Sequence, residues 1–295
     1  MVQCIYHLCT AQSTDKELRD RLGNTKIGNK IFNWGQRTYV MGIINMSPDS
    51  FSGDGQLEVD GALKLAQQMV EQGVDIIDIG GESTRPGAVP VDPDEEISRI
   101  VPLIERLKKR IDIPLSVDTY KKPVAEKALE AGVDMLNDIS GMLQGMDLIM
   151  VAAENKVPIV ITSNHRGNEV GKIMESVIGQ LRKMIDYALR MGVKQDDIII
   201  DPGIGFGKTV EQNLEIIRKL DKLKILHRPI LLGTSRKSFI GTVLGTPPED
   251  RLAGTAATIA IGISKGANII RVHDVKQMKL VAMMSDAVVK GLIKL

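Results

Sequence analysis

Ile198–Thr209 reads Ile-Ile-Ile-Asp-Pro-Gly-Ile-Gly-Phe-Gly-Lys-Thr. Three branched apolar residues in a row suit a strand buried on both faces. Asp201 falls at the C-terminal end of that strand, and Pro202, which has no N–H, stops the ladder. Gly203, Gly205 and Gly207 let the backbone take positive φ and come close to a ligand. A helical pattern starts near Val210. Strand, acid at the tip, glycine loop and helix make one unit of a parallel α/β scaffold with its chemistry at the strand ends. A P-loop places four residues between its first glycine and Gly-Lys-Thr, whereas three separate Gly203 from Gly207. The dinucleotide pattern Gly-x-Gly-x-x-Gly fails as well. Taken alone, the stretch is also compatible with a plain tight turn.

Outward from this unit the layout repeats. Tyr39–Asn45 reads as the first strand, ahead of a helix over Val59–Val70 that closes at Gly73. Val74–Ile79 is the second strand. Asp92 and Pro93 open the next helix, which Pro102 bends. Ile113–Val117, tipped by Asp118, precedes a helix with Pro123 in its first turn, closing at Gly132. Val133–Leu136 is tipped by Asn137 and Asp138. Val157–Ile161 leads to Ser163-Asn-His-Arg-Gly and a long helix over Ile173–Met191. Ile230–Leu232 ends in Gly233-Thr-Ser-Arg-Lys. Ala267–Val272 ends in Arg271-Val-His-Asp, ahead of a last helix from about Lys276. Gly73-Val-Asp, Gly132-Val-Asp and Gly266-Ala-Asn recur just before strands and mark the opposite, helix-to-strand face. About eight βα units with polar clusters at one face describe an α/β fold, a (β/α)8 TIM barrel. An open doubly wound sheet is the other arrangement considered. Residues 1–27 form an N-terminal extension, and 28–295 the barrel. Thr14–Leu22 has helical character, and Gly/Asn-rich turns occupy Gly23–Asn33.

The 295 residues, 43% hydrophobic and 25% charged, can build one large barrel or two smaller domains. A formal net charge of +1 and 3% aromatics give no electrostatic or stacking signature for nucleic acid. No apolar run approaches the length of a membrane span, and the N-terminus lacks the pattern of a signal peptide. Both cysteines, Cys4 and Cys9, lie in the extension. With His7 they are too irregularly spaced for a metal site, and a body without cysteine fits the reducing cytoplasm.

The strand tips offer Asn45, Asp78, Thr84, Arg85, Asp118, Asn137, Asp201, Lys237, Arg271 and His273. Arg271, His273, Thr84 and Asn45 suit an oxyanion-rich group such as pyrophosphate, with Asn45 an oxygen ligand for Mg²⁺. Asp118, Asn137 and Asp201 suit the N–H edge of a heterocycle, because ionised carboxylates only accept hydrogen bonds. Singly, each has a plainer role: an acid capping the next helix, a lysine in an ion pair, a histidine bonded to the scaffold. Ten such residues on one face carry the argument.

Seven motifs in chain order resemble those of the dihydropteroate synthase family, in the pterin-binding barrel superfamily. They begin at Met41 (Met-Gly-Ile-Ile-Asn-Met-Ser-Pro-Asp-Ser-Phe-Ser), Asp78 (Asp-Ile-Gly-Gly-Glu-Ser-Thr-Arg-Pro-Gly), Ser116 (Ser-Val-Asp-Thr-Tyr-Lys), Asn137 (Asn-Asp-Ile-Ser-Gly), Asp201, Gly233 and Arg271. The resemblance runs from about Gly28 to the C-terminus. It implies condensation of 6-hydroxymethyl-7,8-dihydropterin pyrophosphate with 4-aminobenzoate, giving 7,8-dihydropteroate and pyrophosphate for folate synthesis, with Mg²⁺ as cofactor. By that analogy Asp118, Asn137, Asp201 and Lys237 hold the pterin. Asn45, Thr84, Arg85, Arg271 and His273 hold pyrophosphate, with Mg²⁺ on Asn45. Phe51, Pro86, Phe206, Lys237 and Ser238 surround the aminobenzoate. Asp118, Lys237, Arg271 and His273 carry the chemistry.

Further expectations are a cytoplasmic homodimer formed through outer helices, with Val281, Met284, Val288 and Leu292 as its apolar stripe, and no nucleic-acid or membrane partner. The loops Ser47–Gln56 and Glu82–Asp92 should be mobile until pyrophosphate binds, so that aminobenzoate or a sulfonamide mimic follows it. One departure stands out: Asn164-His165 replaces the family's usual Met-His. A corrinoid methyltransferase of the same superfamily would share the pterin pocket but lack Glu82-Ser-Thr-Arg-Pro and Arg271-Val-His-Asp. A barrel that only binds pterin would have lost Lys237, Asn45 or Arg271.

Overall fold

The computed structural model describes residues 22–46, 55–83, 89–142, 145–164 and 172–291, without the side chains of 55–58. A short hairpin comes first, β1 (Asn24–Ile27) and β2 (Lys30–Asn33). Eight parallel strands follow: β3 (Tyr39–Asn45), β4 (Ile76–Gly80), β5 (Leu115–Thr119), β6 (Met135–Asp138), β7 (Ile159–Thr162), β8 (Ile198–Asp201), β9 (Leu231–Leu232) and β10 (Ile269–Val272). They are ordered β8-β7-β6-β5-β4-β3-β10-β9, and a parallel bridge from Ile200 to Ile230 brings the two edges together. This is the (β/α)8 barrel the sequence implies. The helices are α1 (Gly55–Glu71), α2 (Pro93–Lys108), α3 (Lys122–Ala131), α4 (Asp147–Asn155), α5 (Ile173–Met191), α6 (Val210–Arg218), α7 (Ser238–Leu244), α8 (Leu252–Ser264) and α9 (Val275–Lys290).

The strands alternate with period two, and the two phases form separate cores. Outward residues such as Ile44, Ile77, Val117, Leu136, Ile161, Ile200 and Val272 pack under the helices. Inward residues Tyr39, Met41, Ile76, Met135, Val160, Ile199, Leu231 and Ile269 fill the lower barrel. Two residues further along, the inward position turns polar on five of the strands: Asp78, Asn137, Thr162, Asp201 and Arg271. One alternation therefore builds an apolar floor and a polar mouth.

The Gly23–Asn33 region, expected as turns, is the hairpin. Ile27, Phe32 and Trp34 join the inward residues and plug the bottom of the barrel. Trp34 stacks on Phe32 at 5.9 Å and meets Tyr39 edge-on at 5.5 Å. Trp34 Nε1 donates to Thr25 Oγ1 at 2.9 Å, so its buried N–H is satisfied. The division expected between 27 and 28 falls inside this hairpin, and residues 24–27 pack with the barrel.

Most strands begin one or two residues later than their apolar runs and continue through the polar tip residue. Before β4, β6 and β10 the cause lies in the recurrent Gly-x-Asp/Asn turns, where the side chain clips the start of the neighbouring strand; before β5, β7 and β9 Pro114, Pro158 and Pro229 occupy that place. Asp75 accepts from Val40 N at 2.8 Å, Asp134 from Leu115 N at 2.9 Å, and Asn268 from Ile230 N at 2.9 Å. Each clip satisfies a backbone donor that has no ladder partner. Asp92 caps α2 by accepting from Asp94 N at 2.9 Å, and α2 runs on through Pro102.

Asp134→Ala leaves the Leu115 N–H without its acceptor on a half-buried edge. The expected loss is about 1–3 kcal/mol of stability, with ligand affinity unchanged because the clip lies at the opposite end from the polar mouth. Denaturant titration checks the first effect and calorimetry the second. A loss of affinity larger than the loss of stability would contradict the division of the barrel into a structural floor and a binding mouth.

Candidate active site

The rim of the barrel is assembled by register. Asn45 pairs with Gly80, Gly80 with Asp118, and Asp118 with Asn137. Three polar side chains from β3, β5 and β6 therefore stand on one level, with a gap at Gly80. A methyl group placed at Gly80 would lie 3.6 Å from Asp118 Cβ and 3.9 Å from Asn45 Oδ1. From β10, Arg271 reaches across: Nε donates to Asp78 Oδ2 at 2.6 Å, and Nη2 to Asp118 Oδ2 at 2.5 Å. Asn137 Nδ2 donates to the same Asp78 Oδ2 at 2.9 Å. Asp118 Oδ1 and Asn137 Oδ1 are buried acceptors with no partner among the described residues.

The opposite side is built by the glycine loop. Asp201 Oδ1 accepts from Gly203 N at 2.7 Å. Gly203 has φ +71°, and a Cβ there would lie 1.9 Å from the Ser163 carbonyl oxygen, so glycine is required. Lys208 Nζ donates to Ser163 O and Gly203 O at 2.8 Å each, stapling this loop to the end of β7. Gly205 N donates to Asn213 Oδ1 at 2.7 Å, and Thr209 and Gln212 form a capping box on α6. Lys237, the residue before α7, donates to Ile204 O and lies 4.7 Å from the Phe206 ring centroid. Gly233 stands between the two sides: a methyl there would lie 3.9 Å from each of Arg271 Cβ, Asp201 Oδ2 and Lys237 Nζ. His273, one inward step beyond Arg271, has Nδ1 3.0 Å from Ser235 Oγ.

The structure thus brings Asn45, Asp118, Asn137, Asp201, Lys237, Arg271 and Phe206 to one mouth, with His273 and the exposed Ser238 at the ends of the two adjacent strands. Thr84, Arg85, Phe51, Pro86 and His165 lie outside the described residues, as do most of the two loops expected to move. Asn164 donates to Ile139 O at 2.9 Å, tying the β7 end to the β6 end.

Residues 41–273 match the family described as pterin binding enzyme. A dihydropteroate synthase of Clostridium beijerinckii is 51% identical over 267 residues, covering 90% of this chain and 99% of that one. That of Bacillus subtilis is 48% identical, covering 85% and 89%. The chain belongs to the dihydropteroate synthase family. Among solved structures, a Clostridium difficile dihydropteroate synthase in the presence of pteroic acid superposes with a TM-score of 0.84 at 50% identity, covering 87% of this chain and 98% of that one. A Xanthomonas albilineans synthase with 4-aminobenzoic acid gives 0.83 at 37% identity, covering 90% and 98%.

Several members of the synthase site escaped a role in the sequence reading. Asp78 was visible at a tip but had no assignment; its inward phase, shared with Gly80, was the available signal. Lys208 read only as the end of the glycine loop. Lys121, the last residue of the Ser116 motif, is half-buried and donates to Glu82 Oε2, to Glu96 Oε2 at 2.6 Å and to Val91 O at 2.5 Å. Glu82 in turn accepts from Val91 N at 3.0 Å, so both flanks of the Thr84–Ala88 segment are tied to one lysine. Nothing in local spacing announces a contact between residues so far apart in sequence.

Charge and burial tune these groups in opposite directions. Burial pushes Asp118 up to about 7; Arg271 opposes this, while Asp78 and Glu96 add to it. Burial also raises Asp201, against the pull of Lys237. Burial lowers Lys237 to about 8, with Asp201 opposing and Arg271 adding to the shift. Burial works against the Arg271 cation, but Asp118 and Asp78 more than offset it and hold the guanidinium charged.

Linkage ties the stability of the fold to the protonation of Asp118. Asp118 has a folded pKa near 7 against an ordinary 3.8. Its stabilising protonated form is therefore fully available below pH ~4, and that contribution is lost as pH rises through about 7. Asp118→Asn removes this titration. Its melting temperature relative to the unsubstituted protein should accordingly move in the variant's favour between pH 4 and pH 8. A difference that is flat, or that moves the other way, would show that Arg271 keeps Asp118 ionised throughout.

Proposed function

We propose that this chain condenses 6-hydroxymethyl-7,8-dihydropterin pyrophosphate with 4-aminobenzoate, releasing pyrophosphate and forming 7,8-dihydropteroate. The observation that carries the reading is the row of unpartnered acceptors: Asp118 Oδ1 and Asn137 Oδ1, facing Asp201 across the mouth. A pterin presents an amino group and ring N–H donors along one edge. Acceptor-only groups from separate strands suit that edge and give it a fixed orientation. Membership in the synthase family supports the same substrates.

In this scheme the pterin lies among Asp118, Asn137, Asp201 and Lys237. The bond from the methylene carbon to the pyrophosphate oxygen breaks as the bond to the amine nitrogen forms. Positive charge that develops on the methylene is delocalised into the pterin ring, and Asp118 is placed to favour it. Negative charge on the leaving group meets Arg271, whose Nη1 makes no hydrogen bond with the described residues, together with His273, Thr84 and Arg85. The arylamine is a free base at neutral pH, so it attacks without a general base and loses its proton afterwards. Lys237, over the Phe206 ring, and Ser238 flank the aminobenzoate, with Phe51 and Pro86 opposite.

Among the described residues no three His, Cys, Asp or Glu side chains converge on a metal-binding group. Mg²⁺ characteristically uses one or two protein oxygens and completes its shell with water and substrate phosphate. The Asn45 amide oxygen, beside the gap at Gly80, fits that mode. When bound there, Mg²⁺ would neutralise charge on the leaving pyrophosphate.

An assay of purified protein should yield dihydropteroate only when both substrates and Mg²⁺ are present; binding of pterin without turnover would reduce the reading to a pterin-binding barrel. Asn137→Ala and Asp201→Ala should each weaken pterin binding by about 1–3 kcal/mol with the fold retained. Unchanged affinity in calorimetry would count against the site.

We infer a homodimer from the outer helices. On α9, Leu280, Met284 and Val288 are exposed at 62%, 65% and 73%, whereas Val281 packs on the core; Ile261 on the adjacent α8 is 48% exposed. Leu292 lies outside the described residues. Met284 and Val288, with Leu280 and Ile261, thus supply an apolar face for a symmetric dimer that leaves the barrel mouth open. Light scattering at micromolar concentration should give a dimer mass, and a monomer would refute the arrangement. No helix among the described residues is long and apolar enough to cross a membrane. A cytoplasmic location is the reading that the enzyme family supports.

A further inference from the structure

Asp78 is fully buried, deeper in the barrel than the residues proposed to hold the pterin. It stands one inward step below the rim, level with Ile43 and Ser116 in the sheet register, while Gly80, Asp118 and Asn137 form the level above. Its Oδ2 nevertheless accepts from two groups that the proposed reaction places against substrate, Asn137 Nδ2 at 2.9 Å and Arg271 Nε at 2.6 Å. We infer that Asp78 is a positioning residue that fixes the Asn137 amide with its oxygen turned toward the pterin and anchors Arg271 beside it.

Donors and acceptors decide the orientation. An amide side chain can be rotated end for end with little change in shape, and only its partners decide the orientation. A carboxylate cannot donate. With Asp78 below, the Asn137 nitrogen must point down and its oxygen is left as the free end, consistent with a buried Oδ1 that has no partner among the described residues. If the group below could donate instead, the amide would turn over and present N–H to a pterin edge that is itself made of N–H donors. Arg271 Nε holds the shared oxygen from the other side, so the carboxylate cannot swing away from Asn137 without giving up its ion pair. Specificity for a donor-rich ring is thereby set from the level below the rim. This rests on the pterin reading of the site.

The test uses the full chain and 6-hydroxymethylpterin as the probe in calorimetry, with melting curves as a control for folding. D78L removes the acceptor from the lower position at similar size, so nothing there decides which end of the Asn137 amide faces the ring. It is expected to lose at least tenfold in pterin affinity. D78N keeps one oxygen that can still accept from both Asn137 and Arg271, and it is expected to retain most of the affinity. D78L/N137A should lose less than the sum of the two single losses, because part of the first effect passes through Asn137. If D78L alone does not fold, N137D carries the test: it sets two carboxylates against each other, and D78N/N137D, which can turn its amide nitrogen toward the new acid, should bind pterin more tightly than N137D. A D78L that binds as the unsubstituted chain does, a D78N that loses as much as D78L, or losses that add fully in D78L/N137A would overturn the positioning role while leaving the pterin site standing. A wild-type chain that binds no pterin would overturn both.

Discussion

Arg271 reaches across the mouth of the barrel to two carboxylates, 2.6 Å from Asp78 and 2.5 Å from Asp118. A buried guanidinium is tolerable only when it is paired, and one cation cannot balance two acids. The excess negative charge falls where burial already disfavours an anion, and Asp118 is pushed up to about 7 as a result. Lys237 and Asp201 form a second, looser pairing across the pocket, again with both groups shifted by burial. The free protein therefore holds an electrostatic arrangement that a ligand rich in N–H donors, and able to carry positive charge, would relieve. Polar groups fixed before the substrate arrives need no reorganisation during reaction, which is the usual source of electrostatic catalysis.

That arrangement depends on the barrel beneath it. The same inward phase that carries Asp78, Asn137, Asp201 and Arg271 carries Ile76, Met135, Ile199 and Ile269 one step below. Ile27, Phe32 and Trp34 pack against these inward residues and close the floor from outside. The Asp75, Asp134 and Asn268 clips hold neighbouring strands in step at the bottom. A slip of one residue in any strand would turn its rim group outward under the helices. Accuracy at the mouth is thus bought at the floor.

Much of this was legible in the residues. Alternating βα units, glycine-closed helices and polar strand tips gave the barrel, and α5 occupies the span expected for it, Ile173–Met191. The first hairpin was missed because Gly23–Asn33 is rich in turn residues, and four-residue strands bury too few side chains to leave a pattern. α4 and α8 went unassigned for the opposite reason. Their segments, Asp147–Asn155 and Leu252–Ser264, are apolar on nearly every face, so helical periodicity has no contrast. In the site, residues that point at ligand were visible as polar tips. Asp78, Lys121 and Lys208 act through contacts with residues remote in sequence, and no spacing rule reaches those.

The most direct test of the account is a crystal structure of the chain with a pterin bound in the barrel mouth. The ring's N–H edge should lie within hydrogen-bond distance of Asn137 Oδ1, Asp118 Oδ1 and Asp201, with Arg271 still bridging Asp78 and Asp118. A pterin bound with its acceptor edge toward Asn137, or an Arg271 that leaves Asp78 when the ring enters, would contradict it.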